Sequence, residues 1–353
     1  MKYIAKGKCS VLVDGQFGST GKGLLAAYLA SQPQNQVDFA TTNAAANAGH
    51  WTKFKDDRQD FCCFHLPTFG VIQDDCEIYL NAGSIINPDL LFKEMKTCGV
   101  DERRVTIHPN ASIIHQEDID AEMEDESQAT KISSTRKGVG QALSNKVRRT
   151  ARLAVNNDDI GHMVNNLNLN LMMSERGARG SMEVPQGYSL SLNSPFYPYC
   201  TSRNCTVGAG MNDANIHPSF LGQVAMANRT YPIRVGSIPG LGYSGDVYPD
   251  QVEISFNDLD VDEELTTVTQ RVRRIFTWSN HQMVDAMLDN RPSVYFLNFC
   301  NYVQDEVSLA KLTLLIQKMS ISMLGMPQHM LHGWGPNVED VEVVPWGEIS
   351  YDA

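Results

Sequence analysis

The hydrophobic pattern predicts alternating strands and helices at both ends of the chain. Residues 10–14 form a short, branched apolar run that ends at Gly15, and residues 22–31 then have the composition of a helix. Towards the other end, residues 295–299 are a compact apolar segment typical of a buried strand, and residues 308–324 form a long amphipathic helix. Because elements that alternate in this way build α/β folds, we expect a mostly parallel central sheet with helices on both faces.

Capping signals predict a further helix and strand between these ends. Asn87 is a good helix cap and Pro88 fits a first helical turn, so a helix is predicted from there to about Cys98, with Gly99 ending it. Residues 104–107 follow as a strand. The sequence contains no internal repeat and no low-complexity linker that would divide it into separate parts.

Charge and hydropathy narrow the classes of function. The formal net charge is −12, whereas a protein that wraps long nucleic acids needs an electropositive face. No run of about 18 apolar residues predicts a membrane span, and the apolar stretch before Gly15 is too short for the core of a signal peptide. We therefore expect a cytoplasmic protein, which remains free to bind small phosphorylated ligands through a local cluster of cations.

Cysteines and acidic residues do not predict a metal site. The eight cysteines are scattered without a C-x-x-C pair, so we expect free thiols rather than a zinc site or a disulfide framework. The segment 117–126 reads E-D-I-D-A-E-M-E-D-E and is strongly acidic. A solvated helix face is the preferred interpretation of this segment, and a metal site is the alternative.

A glycine-rich loop follows the first predicted strand and reads G-Q-F-G-S-T-G-K-G from Gly15 to Gly23. Glycines here let backbone N–H groups turn towards phosphate oxygens, and Lys22 adds a cation for a β- or γ-phosphate. The strict Walker A pattern fails twice, because five residues separate Gly15 from Gly21 and Lys22 is followed by Gly23. A simple structural turn is the alternative, which is weakened by Asn47-Ala-Gly-His50 after a second apolar stretch.

These two segments together resemble the adenylosuccinate synthetase family. The family's Q-W-G-D-E-G-K-G-K is matched by residues 16–23, and its G-G-H-N-A-G-H by A-A-A-N-A-G-H at 44–50. Further matches, in the family's order, are S-T-R-K-G-V-G at 134–140 (family T-T-G-R-G-I-G), V-R-R at 147–149, Q-G at 186–187, Y-P-Y-C-T-S at 197–202, R-V-G at 234–236 and T-Q-R-V-R-R at 269–274 (family T-G-R-x-R-R). The resemblance implies a P-loop-like adenylosuccinate synthetase fold, with residues 1–353 as one catalytic domain.

The resemblance also implies a reaction. Family members join aspartate to a purine nucleotide: a nucleoside triphosphate phosphorylates the purine 6-oxygen, and the aspartate amine then displaces the phosphate. This chemistry needs Mg²⁺ and cations around the γ-phosphate, a role that falls to Lys22 and the loop amides. His50 resembles the family's acid, although a lone histidine is more often a packed structural residue. The Gly49 carbonyl and Ser19 occupy the positions of the implied Mg²⁺ ligands.

The resemblance assigns the other site residues to three ligands. The residues implied for the triphosphate are Gly18, Thr20, Gly21, Lys22, Gly23, Asn298, Asn301, Gly335 and Pro336. Those implied for the nucleotide monophosphate are Ser19, Asn47, Ser134, Thr135, Gln186, Thr201, Arg234 and, reaching across a homodimer, Arg149. Those implied for aspartate are Thr267, Val268, Thr269, Arg271 and Arg273. Guanidinium groups suit carboxylates, and a surface charge patch is the alternative reading of these arginines.

Two departures from the family pattern point to a particular pair of nucleotides. Ser19 stands where the family has the aspartate that takes the purine N1 proton. A serine hydroxyl cannot be that base. Serine is smaller than aspartate, however, and leaves room for the 2-amino group of guanine. Within L-N-F-C-N at 297–301, Phe299 and Asn301 replace the lysine and the acid of the family's L-T-K-x-D. Because that acid accepts hydrogen bonds from the guanine of GTP, its loss predicts ATP or dATP as the phosphoryl donor.

We therefore predict an enzyme of the phage branch of the family, which condenses dGMP with L-aspartate to N6-succino-2-amino-2′-deoxyadenylate, a precursor of diaminopurine DNA. A phage enzyme would work in the cytoplasm of its host cell. Two other hypotheses stay open. The first is an ordinary adenylosuccinate synthetase acting on IMP, with another group or a water replacing the lost base. The second is a non-catalytic nucleotide-binding relative, which would not need Lys22, His50 and Arg271 together.

Overall fold

The helices and strands are those of a computed structural model, which describes residues 1–125, 134–237, 243–266, 270–325 and 329–345. The strands are β1 (Cys9–Asp14), β2 (Phe39–Thr42), β3 (His50–Thr52), β4 (Phe61–Cys63), β5 (Glu77–Leu80), β6 (Ile85–Ile86), β7 (Val105–Ile107), β8 (Ser112–Ile113), β9 (Gly180–Glu183), β10 (Leu221–Arg229), β11 (Ile233–Arg234), β12 (Glu253–Ile254), β13 (Arg274–Phe276), β14 (Val294–Asn298), β15 (His329–Gly333) and β16 (Val341–Val344). The α-helices are α1 (Lys22–Ala30), α2 (Thr68–Ile72), α3 (Pro88–Cys98), α4 (Gln116–Glu124), α5 (Val139–Arg148), α6 (Leu169–Arg176), α7 (Val207–Asp213), α8 (Asn280–Asn290) and α9 (Glu306–Leu324).

A nine-stranded sheet organises the described chain, in the order β16-β15-β14-β10-β1-β9-β2-β5-β7. Neighbouring strands run parallel throughout, except that β16 pairs antiparallel with β15 at one edge. The first strand, β1, lies inside the sheet between β10 and β9, with Leu12 opposite Ala225 on one side and Glu183 on the other. The prediction of a mostly parallel α/β sheet is confirmed.

Both faces of the sheet are covered by helices. On one face, Leu12 of β1 belongs to a core that includes Leu25 of α1 and Phe69 of α2. On the other face, Val13 belongs to a separate core that includes Met283 of α8. Successive residues of a strand point to opposite faces, so an uninterrupted apolar strand such as β1 requires cover on both sides.

The local elements agree closely with the sequence pattern. The helix α3 runs over Pro88–Cys98, with the Asn87 side chain accepting a hydrogen bond from the Leu90 N–H and with Gly99 in the left-handed conformation. The strand predicted at 295–299 is shifted by one residue, to Val294–Asn298. Phe299 lies outside it because its φ of +58° is incompatible with extended backbone.

Helix α4 buries part of the acidic segment. Asp118 and Glu122 are both buried, and the Glu122 carboxylate accepts hydrogen bonds from the N–H groups of Gly138 (2.8 Å) and Gln141 (3.1 Å) around the start of α5. The expectation of a solvated helix face was therefore wrong for these two residues: Glu122 caps the start of α5, and Asp118 accepts a hydrogen bond from the Asn145 side chain of α5 at 2.9 Å. The segment's last residue lies outside the described residues. Across the described ranges, no three potential metal ligands are grouped together.

One helix of the described chain, α9, is long and apolar enough to cross a membrane by length and composition. It contains Lys311 and Lys318, and it buries Leu309 and Ile316 in the core that also holds Met283 of α8. Burial of this kind is typical of a core helix.

The cysteines are free thiols, as the sequence predicted. The Sγ atoms of Cys63 and Cys98 are 3.7 Å apart. Because a disulfide bond is about 2.05 Å long, these two sulfur atoms are not bonded to each other.

Candidate active site

A cavity of about 760 Å³ opens at the carboxyl ends of the parallel strands. The loops that follow β1, β2, β9 and β14 contribute Ser19, Asn47, Gln186 and Phe299 to its lining. Ligands of α/β proteins bind at this edge, where strands end and helices begin. Segments that are far apart in the sequence therefore meet around one ligand-sized space.

Asp14, at the end of β1, organises the phosphate loop from beneath. One carboxylate oxygen accepts from the N–H groups of Gln16 (2.8 Å) and Gly18 (3.2 Å). The other accepts from the Thr20 hydroxyl at 2.5 Å and lies 3.3 Å from Lys22 Nζ. Both members of the ion pair are buried, so the loop is held in shape before a nucleotide binds. Sequence reasoning missed Asp14; its signal was an acid at a strand end directly before the glycines.

Hydrogen bonds connect the loop to the segments on either side. Lys22 Nζ donates to the Gln186 carbonyl at 2.5 Å, and Gln186 Nε2 donates to Asn47 Oδ1 at 2.9 Å. Asn298 Nδ2 donates to the carbonyl of Thr20 at 3.2 Å. Gly21 has a φ of +90°, and a Cβ there would lie 2.2 Å from Asn298 Nδ2, so the loop tolerates only glycine at this position.

His50 lies in β3, directly after Gly49, and lines the cavity. Burial, and secondarily the charge of Lys22, lower the pKa of the imidazole to about 3, so His50 is neutral at physiological pH. A Cβ at Gly49 would lie 3.1 Å from both Cys62 Sγ and the Phe64 ring. Packing therefore favours glycine here and holds the backbone next to the histidine.

Ser19 occupies a distinct position in the loop. It is exposed within the otherwise buried run 9–20 and has a φ of +55°. Its hydroxyl accepts a hydrogen bond from Arg273 Nη1 at 2.9 Å, and its carbonyl accepts from Arg229 Nη1 at 3.4 Å. The Arg229 guanidinium pairs with Glu264 and stacks on the Phe299 ring, 3.8 Å from its centroid. Ser19 thus contacts two arginines, of which Arg229 is also held by the Glu264 ion pair.

Arg234 lines the cavity, but its terminal nitrogens are already used. Nη1 donates to the Asp246 carbonyl at 2.5 Å and Nη2 to the Tyr199 carbonyl at 2.7 Å. The guanidinium also lies over the Phe17 ring, 4.6 Å from its centroid. Burial lowers the pKa of Arg234 to about 10, which leaves it charged at neutral pH. In this geometry, Arg234 holds the wall of the cavity in place.

Most of the residues implied by the family motifs meet in the cavity. The lining contains Gly18, Ser19, Thr20, Gly21, Lys22, Gly23, Asn47, Gly49, His50, Ser134, Thr135, Gln186, Thr201, Arg234 and Arg273. Six others are outside the lining: Asn298, Asn301, Gly335, Pro336, Arg149 and Arg271. Thr267, Val268 and Thr269 lie outside the described residues.

The six residues outside the lining differ in their surroundings. Asn298 is buried beneath the loop, whereas Asn301 is exposed within the short helical turn after β14. Gly335 and Pro336 belong to the loop after β15. Arg149 is exposed and caps the end of α5, outside the lining of the cavity.

Comparison with known proteins identifies relatives over nearly the whole chain. The profile of the adenylosuccinate synthetase family matches residues 11–176. The N6-succino-2-amino-2′-deoxyadenylate synthase of Salmonella phage PMBT28 is 34% identical, over 95% of this chain and 97% of that protein.

Two solved structures are similar to the fold. The succinoaminodeoxyadenylate synthetase of Cyanophage S-2L, bound to dGMP and to dATP as an energy donor, is 33% identical with a TM-score of 0.82, over 96% of this chain and 95% of that one. The adenylosuccinate synthetase of Plasmodium falciparum has a TM-score of 0.75 at 17% identity, over 95% of this chain and 99% of that one, which supports the fold alone. The order of the motifs, the site at the strand ends and these relatives agree, and the chain belongs to the adenylosuccinate synthetase family.

Proposed function

We propose that this protein is a C–N ligase that condenses dGMP with L-aspartate, driven by ATP or dATP, to form N6-succino-2-amino-2′-deoxyadenylate. The observation that carries the proposal is Ser19, a small neutral residue at the cavity where the family has an aspartate. The name of the Salmonella phage relative and the dGMP and dATP in the Cyanophage S-2L structure support it.

The proposed reaction has two steps with a balanced transfer of groups. In the first, the dGMP 6-oxygen attacks the γ-phosphorus, the bond to the β-phosphate oxygen breaks, and the N1 proton leaves. In the second, the aspartate amine attacks C6, the C6–O bond breaks, phosphate departs, and the nitrogen loses a proton. Lys22 and the amides of Gly21 and Gly23 are proposed to bind the phosphates, where charge accumulates.

His50 is the proposed donor of a hydrogen bond to the transferring phosphoryl group and the 6-oxygen. In the free protein its pKa of about 3 leaves it neutral, and the positive charge of Lys22 contributes to that shift. Phosphate groups bound between the two residues would reverse this effect, because a nearby negative charge favours imidazolium. The triphosphate would thus prepare the acid that the reaction uses.

Mg²⁺ is the proposed cofactor, and the residues present fit a cation that is held mainly by phosphate oxygens. The Asp14 carboxylate is already shared among Gln16, Gly18, Thr20 and Lys22, so it is not an open ligand. The Gly49 carbonyl and the Ser19 hydroxyl are the neutral oxygens proposed as protein ligands. Mg²⁺ characteristically uses few protein ligands beside phosphates, and when bound it would neutralise charge on them.

The proposal extends to the assembly of the site. The nine-stranded sheet takes strands from β1 to β16, which supports one catalytic domain over residues 1–353.

A homodimer is proposed, in which Arg149 reaches the nucleotide of the partner subunit. Arg149 is exposed and lies close in sequence to Val147, an apolar residue that is 76% exposed, and both observations support this proposal. Since the phage relative supports a viral origin, the proposed place of action is the cytoplasm of the host cell.

A product assay with matched substrates tests the proposed function. The protein is incubated with Mg²⁺ and aspartate, with dGMP, GMP or IMP as acceptor and ATP, dATP or GTP as donor, and products are identified by mass. We expect the succino adduct from dGMP with ATP or dATP, and no adduct when aspartate is omitted. Turnover of IMP without turnover of dGMP would instead assign the chain to ordinary adenylosuccinate synthesis.

A further inference from the structure

Two cysteines from separate elements lie side by side next to the strand that carries His50. Cys63 is the last residue of β4, and Cys98 is the last residue of α3. Their Sγ atoms are 3.7 Å apart, a distance at which one thiol donates a hydrogen bond to the other. The two thiols are therefore already neighbours in the folded protein.

The packing of α3 against the end of β4 keeps these two cysteines together. Glu94 lies four residues before Cys98 and therefore on the same face of α3. Its buried carboxylate accepts hydrogen bonds from the N–H groups of Phe64 at 2.8 Å and His65 at 2.9 Å, directly after β4. One helix face thus presents both the carboxylate and the Cys98 thiol to the same strand end.

The two thiols differ in exposure and in acidity. Cys63 is buried, whereas Cys98 is half-buried at the end of its helix. The hydrogen bond from the Cys63 thiol lowers the pKa of Cys98, whereas that bond and burial raise the pKa of Cys63. The pKa of each of the other six cysteines is raised. Because the thiolate is the nucleophile in disulfide exchange, Cys98 is the sulfur suited to attack, with Cys63 beside it to resolve the product.

Strand β4 connects this pair to the candidate active site. Cys63 lies directly opposite His50 in the antiparallel pairing of β4 with β3. The preceding residue, Cys62, packs against Gly49, where an added Cβ would lie 3.1 Å from the Cys62 Sγ. Since β4 supports the backbone of Gly49 and His50, a displacement of β4 also displaces that wall of the cavity.

We propose that Cys63 and Cys98 form a reversible modification site, which a small-molecule disulfide oxidises to an intramolecular disulfide bond, and that this bond lowers the activity of the enzyme. The Cys98 thiolate attacks one sulfur of the small disulfide, whose S–S bond breaks and releases a thiolate. Cys63 then attacks Cys98 Sγ, and its proton passes to the second departing thiolate. Two protein thiols are oxidised, and one small disulfide is reduced to two thiols.

The expected loss of activity follows from the movement that the bond requires. The sulfur atoms must close from 3.7 Å to about 2.05 Å, so the end of β4 and the last turn of α3 must move towards each other. A misplacement of about 1 Å at a catalytic group costs up to about 10²-fold in rate. The effect on activity rests on the proposed function, whereas formation of the disulfide does not.

Mass spectrometry of the protein treated with oxidised glutathione tests the modification site. The wild type should lose the two thiol hydrogens and yield, after digestion without reductant, a peptide pair joined through Cys63 and Cys98. C63A lacks the resolving thiol and should instead accumulate a glutathionyl group on Cys98. C98S should carry neither modification, because Cys63 is buried. C76S is the matched control and should form the disulfide as the wild type does, because Cys76 Sγ lies beside Arg104 Nη2, at 3.9 Å.

Turnover of dGMP, aspartate and ATP, measured without reductant before and after oxidation, tests the connection to His50. We expect the kcat of the oxidised wild type and of oxidised C76S to fall on the order of 10-fold and to recover with dithiothreitol. Oxidised glutathione should leave the kcat of C98S unchanged.

Two results would overturn the proposal, each at a different step. If the wild type yields no joined peptide, or if C98S is glutathionylated as readily as C63A, the pair is not a modification site. If a fully cross-linked wild type keeps its kcat, the disulfide does not act on His50. If the untreated protein forms no adduct with dGMP, the proposed function is wrong, and the mass measurement still decides whether the two cysteines are a modification site.

Discussion

The two sides of the active site are prepared for their ligands in opposite ways. On the phosphate side, Asp14 accepts hydrogen bonds from loop amides and Thr20, and it pairs with Lys22. On the arginine side, Arg136 and Arg271 have no acidic partner in the described chain, and Arg136 Nε is unsatisfied. The polar groups of the phosphate side are therefore paired before a ligand binds, whereas a buried donor of the arginine side is not.

The difference shows how each side would contribute to the reaction. A loop that is already ordered presents its amides without a cost of rearrangement when the γ-phosphate is transferred. A guanidinium group without an acidic partner instead gains most of its favourable energy from the ligand itself. We therefore expect changes on the phosphate side to affect kcat, and changes on the arginine side to affect the KM for aspartate.

Replacing His50 is expected to have the largest effect and to test the phosphate side directly. H50N keeps a polar side chain of similar size but cannot act as an acid, so kcat should fall about 10²- to 10⁴-fold. Binding of ATP and dGMP, measured by calorimetry, should stay within about threefold of the wild type. H162N, at an exposed histidine paired only with Glu102, is the control and should retain full activity. Retention of wild-type kcat by H50N would remove His50 from the mechanism.

Ser19 lies between the phosphate side and the arginine side of the site. Its replacement tests how the enzyme selects the purine base. S19D restores the family's carboxylate beside Arg273, so room for the 2-amino group is lost and an ion pair forms. We expect kcat/KM for dGMP to fall about 10- to 200-fold relative to that for IMP. S19A removes the hydroxyl without adding volume and should keep the preference for dGMP. An S19D enzyme with an unchanged preference would show that another residue selects the base.

The pH dependence of stability is the smallest expected effect and reports on the burial of His50. The pKa of His50 is about 3 in the folded protein and 6.5 in the unfolded chain, so the unfolded state binds the proton more readily between these values. Stability is therefore present above about pH 6.5 and is lost as the pH falls towards 3. At pH 5 the protonation of this group lowers the free energy of unfolding by at most about 2 kcal/mol. H50N should not show this loss when its free energies of unfolding at pH 5 and pH 7.5 are compared with those of the wild type. Parallel losses in both proteins would contradict the low pKa.

The elements that the sequence predicted well are those with local physical causes. The helix α3 begins and ends where the Asn87-Pro88 cap and Gly99 predicted, because capping depends on a few neighbouring residues. The buried strand β1 and the loop after it were likewise recognisable. The acidic segment was interpreted wrongly at Asp118 and Glu122, since their hydrogen-bond donors lie in and directly before another helix: the Asn145 side chain for Asp118, and the N–H groups of Gly138 and Gln141 for Glu122.

Part of the site could also be predicted, because some of its residues lie in short sequence motifs. Lys22 and His50 were recognised by the spacing of their motifs, and both line the cavity. Asp14 was missed because its role depends on four groups that fold back onto it. The assignment of Arg234 to the nucleotide stays a prediction; Arg234 lines the cavity, and the sequence did not indicate that its Nη atoms donate to the carbonyls of Tyr199 and Asp246.

The sequence by itself determined the parallel α/β architecture, the phosphate loop and the family, because apolar periodicity, glycine conformation and motif order are properties of short segments. Only the tertiary structure decided which side chains are free to act. Packing places Arg229 against Glu264 and Arg274 against Glu253, whereas Arg136 and Arg271 have no acidic partner in the described part of the chain. Charge neutralisation depends on distances in space, so a sequence lists the cations but does not reveal which of them remain unpaired.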